Sequence, residues 1–357
     1  MLEARIDALV ALGQWIAHHP PELEESVRRA SQKNPWFTPH EIRRALTHIR
    51  QYYLHPDKIH QWLQRYPDLG STDHTLGLVL AGNIPMVGFH DWLCGFVAGY
   101  SMQVKLSSKD DVLIPTLVNA LYALSPRAPL PKTHWVERLR HFDAIIATGS
   151  ASSHVYFRHY FKDYPHILRH NRNSVAILSG NESDEEVLAL GEDIYAYYGM
   201  GCRSVSKLYI PSKVKLEPYL ALWDEHFGYV MDHPGYLHNY QYNVALAQLS
   251  GRAHLRSDTL LVIEETSLAS RIASLHYERY ERTEDLPAML TPHRDHLQLV
   301  VHSNDIDLTS FPGQKAPPGK AQYPELWDYA DGVDTLQHLI KWYQFPPASE
   351  QKVQRSA

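Results

Sequence analysis

The sequence predicts an α/β protein with two lobes, each built on a parallel sheet, preceded by an α-helical N-terminal segment. The chain has 357 residues, which is more than a single hydrophobic core usually supports. Its first part shows apolar residues at helical spacing, and beyond residue 70 short apolar runs alternate with segments of helical length. This alternation is typical of parallel strands joined by crossover helices.

Residues 1–70 are predicted to form helices. The segment "TPHEIRRALTHIRQYYL" begins with Thr38 as a candidate N-cap, Pro39 at the first helical position and Glu41 at the third. Apolar residues then recur at intervals of three and four, as on one face of a helix. The turn-like "YPDLGSTD" ends this segment.

The first lobe follows, with three predicted strands and three predicted helices. The strands are "TLGLVLAG", "SMQVKLS" and "FDAIIATGS"; the helices are "MVGFHDWLCGFVAGY", "DVLIPTLVNALYALS" and "SSHVYFRHYFKDY". Ligands of such sheets bind beyond the carboxyl ends of the strands. The loops "AGNIP", "KLSSKD" and "TGSASS", each of which follows a strand, are therefore predicted to form the functional edge.

The second lobe repeats this alternation after "HNRN". Its predicted strands are "SVAIL", "SVSKLYIP", "DTLLVIEE" and "LQLVVHS", and its predicted helices are "SDEEVLALGEDIYAYYG", "LEPYLALWDEHF" and "YLHNYQYNVALAQLS". Residues 309–329 are rich in Pro and Gly and are predicted to form a long surface loop. The segment "VDTLQHLIKWYQ" is predicted to be a closing helix.

Composition narrows the possible partners and compartments. The formal net charge of −6 gives no electrostatic reason to expect a nucleic-acid partner. The most apolar window, Leu76 to Tyr100, is interrupted by polar and charged residues, so no membrane span is predicted. Two cysteines cannot build a disulfide framework, which favours a reducing compartment, and a cytoplasmic protein is expected.

The 23 histidines raise the question of a metal site. A zinc site needs three or four converging ligands, but the sequence contains no H-E-x-x-H and no C-x-x-C. No metal is therefore predicted. The sequence also lacks G-x-G-x-x-G after a strand, the P-loop G-x-x-x-x-G-K-[ST] and the G-x-S-x-G elbow.

Cys202, in "YYGMGCRSVSKLYIP", is the strongest candidate for a nucleophile. Reactive thiolates occupy exposed, electropositive sites, and glycines such as Gly199 and Gly201 permit tight turns and close approach of a ligand. The alternative is a small residue buried in a helix-to-strand turn. Cys94 lies on the apolar part of a predicted helix and is assigned to the core.

Polar residues after the predicted strands supply further candidates. Asn83 offers a neutral amide donor for an oxyanion, although a turn asparagine next to a proline is the commoner role. Lys105, with Ser107 and Ser108, can hold a ribose or a phosphate, or be an ordinary solvated lysine followed by a loop.

Gly149 and Ser150 open a predicted helix in "TGSASS". A helix N-terminus with small residues is suited to an anion, and plain helix capping is the alternative.

The order of these segments resembles the aldehyde dehydrogenase superfamily. That superfamily has an Asn-containing turn, a V-L-K-P-S loop, an F-T-G-S turn and a G-x-C loop, and this sequence has "AGNIP", "QVKLS", "ATGS" and "GMGC" in the same order. The "L-x-G-N-x-P-x-V-G" turn, "NPWFTPHEIRRAL" and "FPG…PELWDYADGV" resemble the acyl-CoA reductase branch, which includes the fatty acid reductase subunit of bacterial luminescence. The resemblance extends roughly from Asn34 to Trp342.

The resemblance implies a role for each matching residue. Cys202 is then the nucleophile that accepts an acyl group, and Asn83 with the Cys202 backbone amide forms the oxyanion hole. Residues of the cofactor site follow in the same way. Lys105, Ser107 and Ser108 match the loop at the adenosine ribose, Gly149 and Ser150 match the turn near the pyrophosphate, and Glu278 matches a glutamate on the nicotinamide ribose.

The resemblance also implies the domain division. Residues 1–70 form the helical N-terminal segment, residues 71–175 with a C-terminal helix at 330–345 form the nicotinamide-cofactor-binding lobe, and residues 176–329 form the catalytic lobe with Cys202. Two departures stand out. Leu106 replaces the Pro of the V-L-K-P-S loop, and no acid occurs from Tyr164 to Asn181, where aldehyde-oxidising members keep a general-base glutamate in E-L-G-G-K.

Without that base, an acyl-enzyme is expected to be reduced rather than hydrolysed. The expected activity is therefore NAD(P)H-dependent reduction of an acyl-CoA or carrier-bound acyl thioester to an aldehyde. NADPH is preferred over NADH, because Lys105 and Ser107 offer a cation and a hydroxyl to a 2′-phosphate.

Three alternatives remain: aldehyde oxidation, acyl-phosphate reduction, and a catalytically inactive nucleotide-binding or assembly protein. An acyl-activating or acyl-transferring protein partner and a homo-oligomer are also compatible with the resemblance.

Overall fold

The computed structural model describes residues 1–303 and 305–344, which divide into two compact units. Unit 1 contains Met1–Asn171 and the chain from Glu325 onward, and unit 2 contains Arg172–Pro324. The helical N-terminal segment belongs to unit 1. The boundary lies at 171/172, close to the 175/176 expected from the sequence. Residue 345, the last of the expected C-terminal helix, lies outside the described residues.

Four helices form the N-terminal part of unit 1. They are α1 (Leu2–Ala17), α2 (Pro21–Lys33), α3 (Pro39–His48) and α4 (Pro56–Leu63), and a π-helical turn, Ile49–Tyr53, follows α3. The Thr38 hydroxyl accepts a hydrogen bond from the Glu41 N–H (3.4 Å), so Thr38 is the N-cap that the sequence predicts. Helix α1 packs against α4 and against two helices that follow later in the same unit.

Unit 1 continues as a five-stranded, fully parallel sheet. Its strands are β1 (Thr75–Val79), β2 (Ser101–Lys105), β3 (Thr133–Trp135), β4 (Ala144–Thr148) and β5 (His166–Arg169). Their order across the sheet is β3-β2-β1-β4-β5. The crossover helices are α5 (Phe89–Val97), α6 (Leu113–Leu124) and α7 (Ala151–Phe161). The strand order reverses between β1 and β4, and a crevice at such a switch point is the usual ligand site of a doubly wound sheet.

Helix α5 is the most deeply buried helix of this unit's core. Trp92, Cys94 and Phe96 are completely buried. Burial raises the pKa of the Cys94 thiol, which keeps it protonated and unreactive, as the sequence predicts for a core cysteine.

Unit 2 contains a seven-stranded sheet. Its strands are β6 (Asn173–Ile177), β7 (Val205–Pro211), β8 (His254–Arg256), β9 (Leu261–Glu264), β10 (Ser274–Tyr280), β11 (Leu297–His302) and β12 (Lys315–Ala316). The order is β12-β11-β6-β7-β10-β9-β8, and every pairing is parallel except the antiparallel β8–β9 pair. The helices are α8 (Asp184–Tyr195), α9 (Glu217–Phe227), α10 (Pro234–Ser250) and α11 (Leu286–Leu290).

The chain then returns to unit 1, where α12 (Thr335–Trp342) packs against α5. Both sheets and their helices confirm the predicted α/β class with two parallel-sheet units and a helical N-terminal segment. None of the helices in the described part of the chain has the length and apolar character needed to cross a bilayer.

Candidate active site

Cys202 lies in a tight turn between helix α8 and strand β7. We call residues 199–204 the Cys202 turn. Inside it, the Gly201 N–H donates to the Ser204 hydroxyl (3.2 Å), and the Ser204 N–H donates to the Gly201 carbonyl (3.0 Å). Ser204 is buried, whereas Cys202 is only partly buried. The hydrogen bonds fix the turn while the cysteine keeps some exposure, in contrast to Cys94.

The backbone that leads into the Cys202 turn is left-handed at three successive residues. Tyr197, Tyr198 and Gly199 have φ values of 54°, 57° and 73°. Only Gly adopts this conformation freely, so the two tyrosines cost about 1–2 kcal/mol each. Both are buried, and the Tyr198 ring packs on the His233 ring at 4.6 Å between centroids. Aromatic packing therefore stabilises a strained conformation directly before Cys202.

Strand β6 orients the peptide group on the other side of the cysteine. The Ser174 hydroxyl donates to the Cys202 carbonyl (2.9 Å), and Ser174 is completely buried. Ser174 lies in register with Val205, the first residue of β7. The Cys202 carbonyl is therefore held by the neighbouring strand.

The two residues after Cys202 contact the C-terminal part of unit 2. Arg203 donates through Nη2 to Oε1 of Gln314 (3.3 Å), and Gln322 donates through Nε2 to the Ser204 hydroxyl (3.4 Å). The sequence predicts neither glutamine as a site residue, because they lie more than 100 positions from the cysteine in a segment expected to be a surface loop.

In unit 1, the loops after β1 and β2 pack closely together. The Leu80 N–H donates to the Lys105 carbonyl (3.0 Å). A Cβ added to Gly82 would lie 2.7 Å from Cβ of Ser107, so only glycine allows this approach. Asn83, next to Gly82, is exposed. The structure thus brings the Asn83 turn and the Lys105–Ser107 segment to the same edge of the sheet.

A buried acid, Asp110, holds the Asn83 turn from the β2 side. Its Oδ2 accepts the Met86 N–H (2.7 Å). Met86 is left-handed, with φ 55°. Burial raises the pKa of Asp110 to about 6. The sequence gives no signal for this residue, because "SSKDD" has the composition of a polar loop.

The candidate ribose loop presents an exposed cation. Lys105 is the last residue of β2 and is exposed, as is Ser108, whereas Ser107 is partly buried. The Ser107 hydroxyl accepts the Lys109 N–H (3.2 Å). Its own O–H remains a possible donor to a ligand, so this loop can offer a cation and hydroxyls to a ribose or phosphate.

The turn after β4 also lies at this edge. Ser150 is the N-cap of α7, and its hydroxyl accepts the Ser153 N–H (3.3 Å), so the capping role is present. A Cβ added to Gly149 would lie 2.8 Å from Phe157 and Ser153 atoms, which favours glycine there. The turn places small residues and backbone amides beside the switch point between β1 and β4, and these suit a phosphate group.

The segment that joins the two sheets carries a buried arginine and no acid. Arg169, at the end of β5, donates through Nη2 to Oδ1 of Asp91 (2.9 Å), and both residues are buried. Arg169 also donates to the Thr335 hydroxyl and to the Ala330 carbonyl, each at 2.7 Å. The charge of Arg169 is therefore neutralised inside unit 1, and residues 164–181 supply no carboxylate.

Glu278 lies on β10 in unit 2, in register with Tyr209 of β7. Its Oε2 is 2.6 Å from Nζ of Lys207, which is completely buried. Tyr209 lies four positions beyond the start of β7, so much of the strand separates Glu278 from the Cys202 turn. The structure gives Glu278 a stabilising ion pair, and its predicted cofactor role stays a prediction.

Among residues 1–303 and 305–344, no group of three or more His, Cys, Asp or Glu side chains is arranged to hold a metal ion.

The candidate site residues fall into two sets. The turns with Asn83, Lys105 and Gly149 share one edge of the unit 1 sheet, and Cys202 lies at the amino end of β7 in unit 2.

Comparison with known proteins shows where this fold occurs. No protein-family model matches the chain, and no curated protein matches it at a significant level. Solved structures do match. Aldehyde dehydrogenase 21 from Physcomitrella patens, in complex with the reaction product succinate, is 11% identical with a TM-score of 0.67, and the match covers 96% of this chain and 84% of that one.

Two bacterial structures match in the same way. Aldehyde dehydrogenase C from Pseudomonas syringae, a mutant in complex with NAD+ and octanal, is 14% identical with a TM-score of 0.65 and covers 95% of this chain and 83% of its own. An indole-3-acetaldehyde dehydrogenase from P. syringae, a mutant in complex with NAD+, is 10% identical with a TM-score of 0.69 and covers 96% and 83%. These similarities show the aldehyde dehydrogenase fold.

Proposed function

We propose that this protein reduces an acyl thioester, either acyl-CoA or a carrier-bound acyl group, to an aldehyde with NAD(P)H. The observation that carries the proposal is the Cys202 turn, because a partly exposed thiol follows three left-handed residues in a fixed turn. Strain of this kind is concentrated at functional sites, where surrounding packing maintains it. The aldehyde dehydrogenase fold supports the same interpretation, since the sequence motifs match that superfamily in order.

In the first step, the Cys202 thiolate attacks the acyl carbon of the thioester. A new sulfur–carbon bond forms, the carbonyl π electrons move to oxygen, and collapse of this oxyanion expels the carrier as a thiolate. Asn83 and the Cys202 backbone N–H are the proposed donors to the oxyanion. Each good donor of this kind contributes about 3 kcal/mol to transition-state stabilisation.

The second step converts the acyl-cysteine to an aldehyde and returns Cys202 as a thiolate. A bound reduced nicotinamide supplies the hydride for this step. Lys105, Ser107 and Ser108 are the proposed contacts of its adenosine ribose, and the cation of Lys105 favours a 2′-phosphate and hence NADPH. Gly149 and Ser150 are the proposed contacts of the pyrophosphate, and Glu278 of the nicotinamide ribose.

The proposed direction, reduction rather than oxidation, is supported by the absence of an acidic residue from residues 164–181. Oxidation of an aldehyde to an acid needs a base that activates water against the acyl-cysteine. Residues 164–181 contain no acid, and the charged residue at the end of β5 is Arg169, which is buried against Asp91. Without the base, the acyl-cysteine persists until it is reduced or transferred to another thiol.

Aldehyde oxidation is the second candidate function. The observation that favours it is that the matched structures are aldehyde dehydrogenases, two of them in complexes with NAD+. The two directions differ in their products, because oxidation forms an acid or a thioester from an aldehyde. Acyl-phosphate reduction and a catalytically inactive nucleotide-binding or assembly role remain as further alternatives.

The test is NADPH consumption by the purified protein with a panel of acyl-CoA thioesters, with aldehyde formation measured directly. Acyl phosphates, and aldehydes with NAD+ or NADP+, are assayed in parallel. We expect acyl-CoA-dependent oxidation of NADPH that is lost in Cys202→Ser and retained in Cys94→Ala. Acid production from aldehyde would favour the oxidative alternative, and bound but unconsumed cofactor would favour an inactive role.

A further inference from the structure

The C-terminal part of unit 2 contains a segment that we call the strap, residues 314–322. The Val300 N–H donates to the Gln314 carbonyl (3.0 Å), and β12 pairs with β11 just beyond it. Beyond β12 the strap includes the sequence "PPGKAQ", which adds no further strand to the sheet. Its position must therefore be fixed by side chains of other elements.

The side chain of Asp193 on helix α8 holds the strap in place. It is completely buried, its Oδ2 accepts the Gly319 N–H (2.7 Å) and its Oδ1 accepts the Ala321 N–H (3.0 Å). Gly319 has φ 78°, and a Cβ there would lie 3.0 Å from Cβ of Ala189. The carboxylate thus holds the strap against α8 through two backbone hydrogen bonds.

The strap in turn contacts the Cys202 turn. Next to Ala321, Gln322 is buried and donates to the Ser204 hydroxyl (3.4 Å), which also accepts the Gly201 N–H (3.2 Å). Asp193 is therefore connected to the Cys202 turn in three steps. It binds the Ala321 N–H, the chain continues to Gln322, and the Gln322 side chain binds the Ser204 hydroxyl, which also binds Gly201. A second strap residue, Gln314, accepts from Arg203.

The protonation state of Asp193 affects this series. Burial raises its pKa to about 7, although the two backbone N–H groups lower it. The charged groups that act on Asp193 are Glu192 on its own helix, which raises the pKa, and Lys320 on the strap, which lowers it. Both oxygens are acceptors, so a proton on either oxygen weakens the hydrogen bond that this oxygen accepts from the strap backbone.

We propose that Asp193 and Gln322 are positioning residues for Cys202, and that Asp193 acts on the cysteine through the strap. The proposal rests on the proposed function only in taking Cys202 as the nucleophile. Its test measures the reactivity of the thiol itself, which is observable whether or not acyl-CoA is reduced. Failure of this proposal and failure of the proposed function are therefore distinguishable.

The experiment is a double-mutant cycle on the rate of Cys202 alkylation by iodoacetamide, followed by peptide mass spectrometry. The full-length variants are Asp193→Asn, Gln322→Ala and the double variant. We expect each single variant to change the rate by roughly threefold or more, and the double variant to match the single variants rather than multiply them. Multiplied effects, or single effects below that level, overturn the proposal.

The pH dependence supplies a readout that a general structural role would not move. We expect the wild-type alkylation rate, plotted against pH, to show an inflection at about pH 7, where Asp193 titrates. This inflection adds to the one that comes from titration of the thiol. Asp193→Asn and Gln322→Ala should both lack it. Identical profiles in all three proteins overturn the proposal. If Asp193→Asn does not fold, a wild-type profile in Gln322→Ala alone overturns it.

Asp224→Asn is the matched control. Asp224 also accepts two backbone N–H groups, those of Asp258 (2.9 Å) and Thr259 (3.0 Å), but it holds a loop before β9 rather than the strap. We expect Cys202 in Asp224→Asn to be alkylated at the wild-type rate and with the wild-type pH profile. A change as large as that of Asp193→Asn would show that any lost loop contact alters Cys202, and this overturns the proposal.

Discussion

Lys207 and Glu278 lie on neighbouring parallel strands, with the ammonium Nζ of Lys207 2.6 Å from Oε2 of Glu278. The Lys207 side chain is 0% exposed and the Glu278 side chain is 30% exposed. The ammonium group also donates to the Thr266 carbonyl (2.7 Å) and lies 4.9 Å from the Tyr209 ring centroid. Glu278 is therefore the charge that compensates a lysine held inside the sheet of unit 2.

Glu278→Ala should lower the free energy of unfolding by about 3 kcal/mol, because it leaves Lys207 buried without a counter-charge. Lys207→Met should cost clearly less, since it removes the buried charge and leaves a partly exposed carboxylate. Urea denaturation of both variants measures the difference. Equal losses would show that the charge itself is unimportant, and a larger loss in Lys207→Met would assign the stabilisation to the lysine's packing.

Gly199→Ala should lower the free energy of unfolding by about 1–2 kcal/mol and change the rate at which Cys202 is alkylated. Gly199 has φ 73°, and an added Cβ would find only the Ile194 carbonyl oxygen at 3.5 Å, which is an ordinary contact. The cost is therefore conformational, and the strain falls on the Cys202 turn. Urea denaturation gives the stability, and iodoacetamide alkylation gives the state of the cysteine.

Gly251→Ala is the matched control for that substitution. Gly251 is the left-handed C-cap of α10, with φ 64°, and an added Cβ would meet nothing within 4 Å. We expect a similar loss of stability with unchanged alkylation of Cys202. If both variants alter alkylation equally, the effect comes from global destabilisation and the turn has no special role.

The strands that the sequence predicts are either short apolar runs, such as β1 and β4, or segments such as β2 in which apolar and polar residues alternate. Strand β10 is not predicted, because "SLHYERY" carries His, Glu and Arg at central positions. Its glutamate belongs there because Lys207 lies on the next strand, and such a pairing is visible only after folding. Short strands such as β3 and β12 likewise depend on their neighbours more than on their own residues.

The turns of the candidate site were predictable where backbone freedom leaves a trace in the sequence. Gly199 and Gly149 indicate turns, and both lie where close packing or a left-handed backbone requires glycine. Tyr198 gives no such trace, since tyrosine rarely adopts a left-handed backbone and does so here because its ring is packed. Asp110 and Asp193 were also invisible, because nothing in a sequence distinguishes a buried acid from a solvated one.

Lys105→Ala should raise KM for NADPH about tenfold and change KM for NADH by less than about twofold, since a lost contact to a 2′-phosphate affects only the phosphorylated cofactor. Lys105 is exposed at the end of β2, so its removal should leave stability unchanged. Lys109→Ala, in the same loop and also exposed, is the control and should affect neither cofactor. Equal effects of Lys105→Ala on both cofactors would remove the basis for preferring NADPH.

Asp110 should make stability depend on pH in a direction opposite to that of an ordinary salt-bridged carboxylate. Burial raises its pKa from 3.8 to about 6, so the folded protein keeps a proton that the unfolded chain has lost. Its contribution to stability is complete below the unfolded value and is lost as the pH rises through about 6.

Asp110→Asn removes this titration and keeps an oxygen for the Met86 N–H. The stability of Asp110→Asn relative to the wild type should therefore increase by about 2 kcal/mol between about pH 4.5 and about pH 7.5. Asp110→Ala should show the same trend at lower stability throughout, because the Met86 N–H loses its acceptor. Urea titrations at several pH values measure both. If the free energy of unfolding has the same pH dependence in the wild type and in Asp110→Asn, water reaches the Asp110 carboxylate. Asp110 would then not hold the Asn83 turn as a buried group.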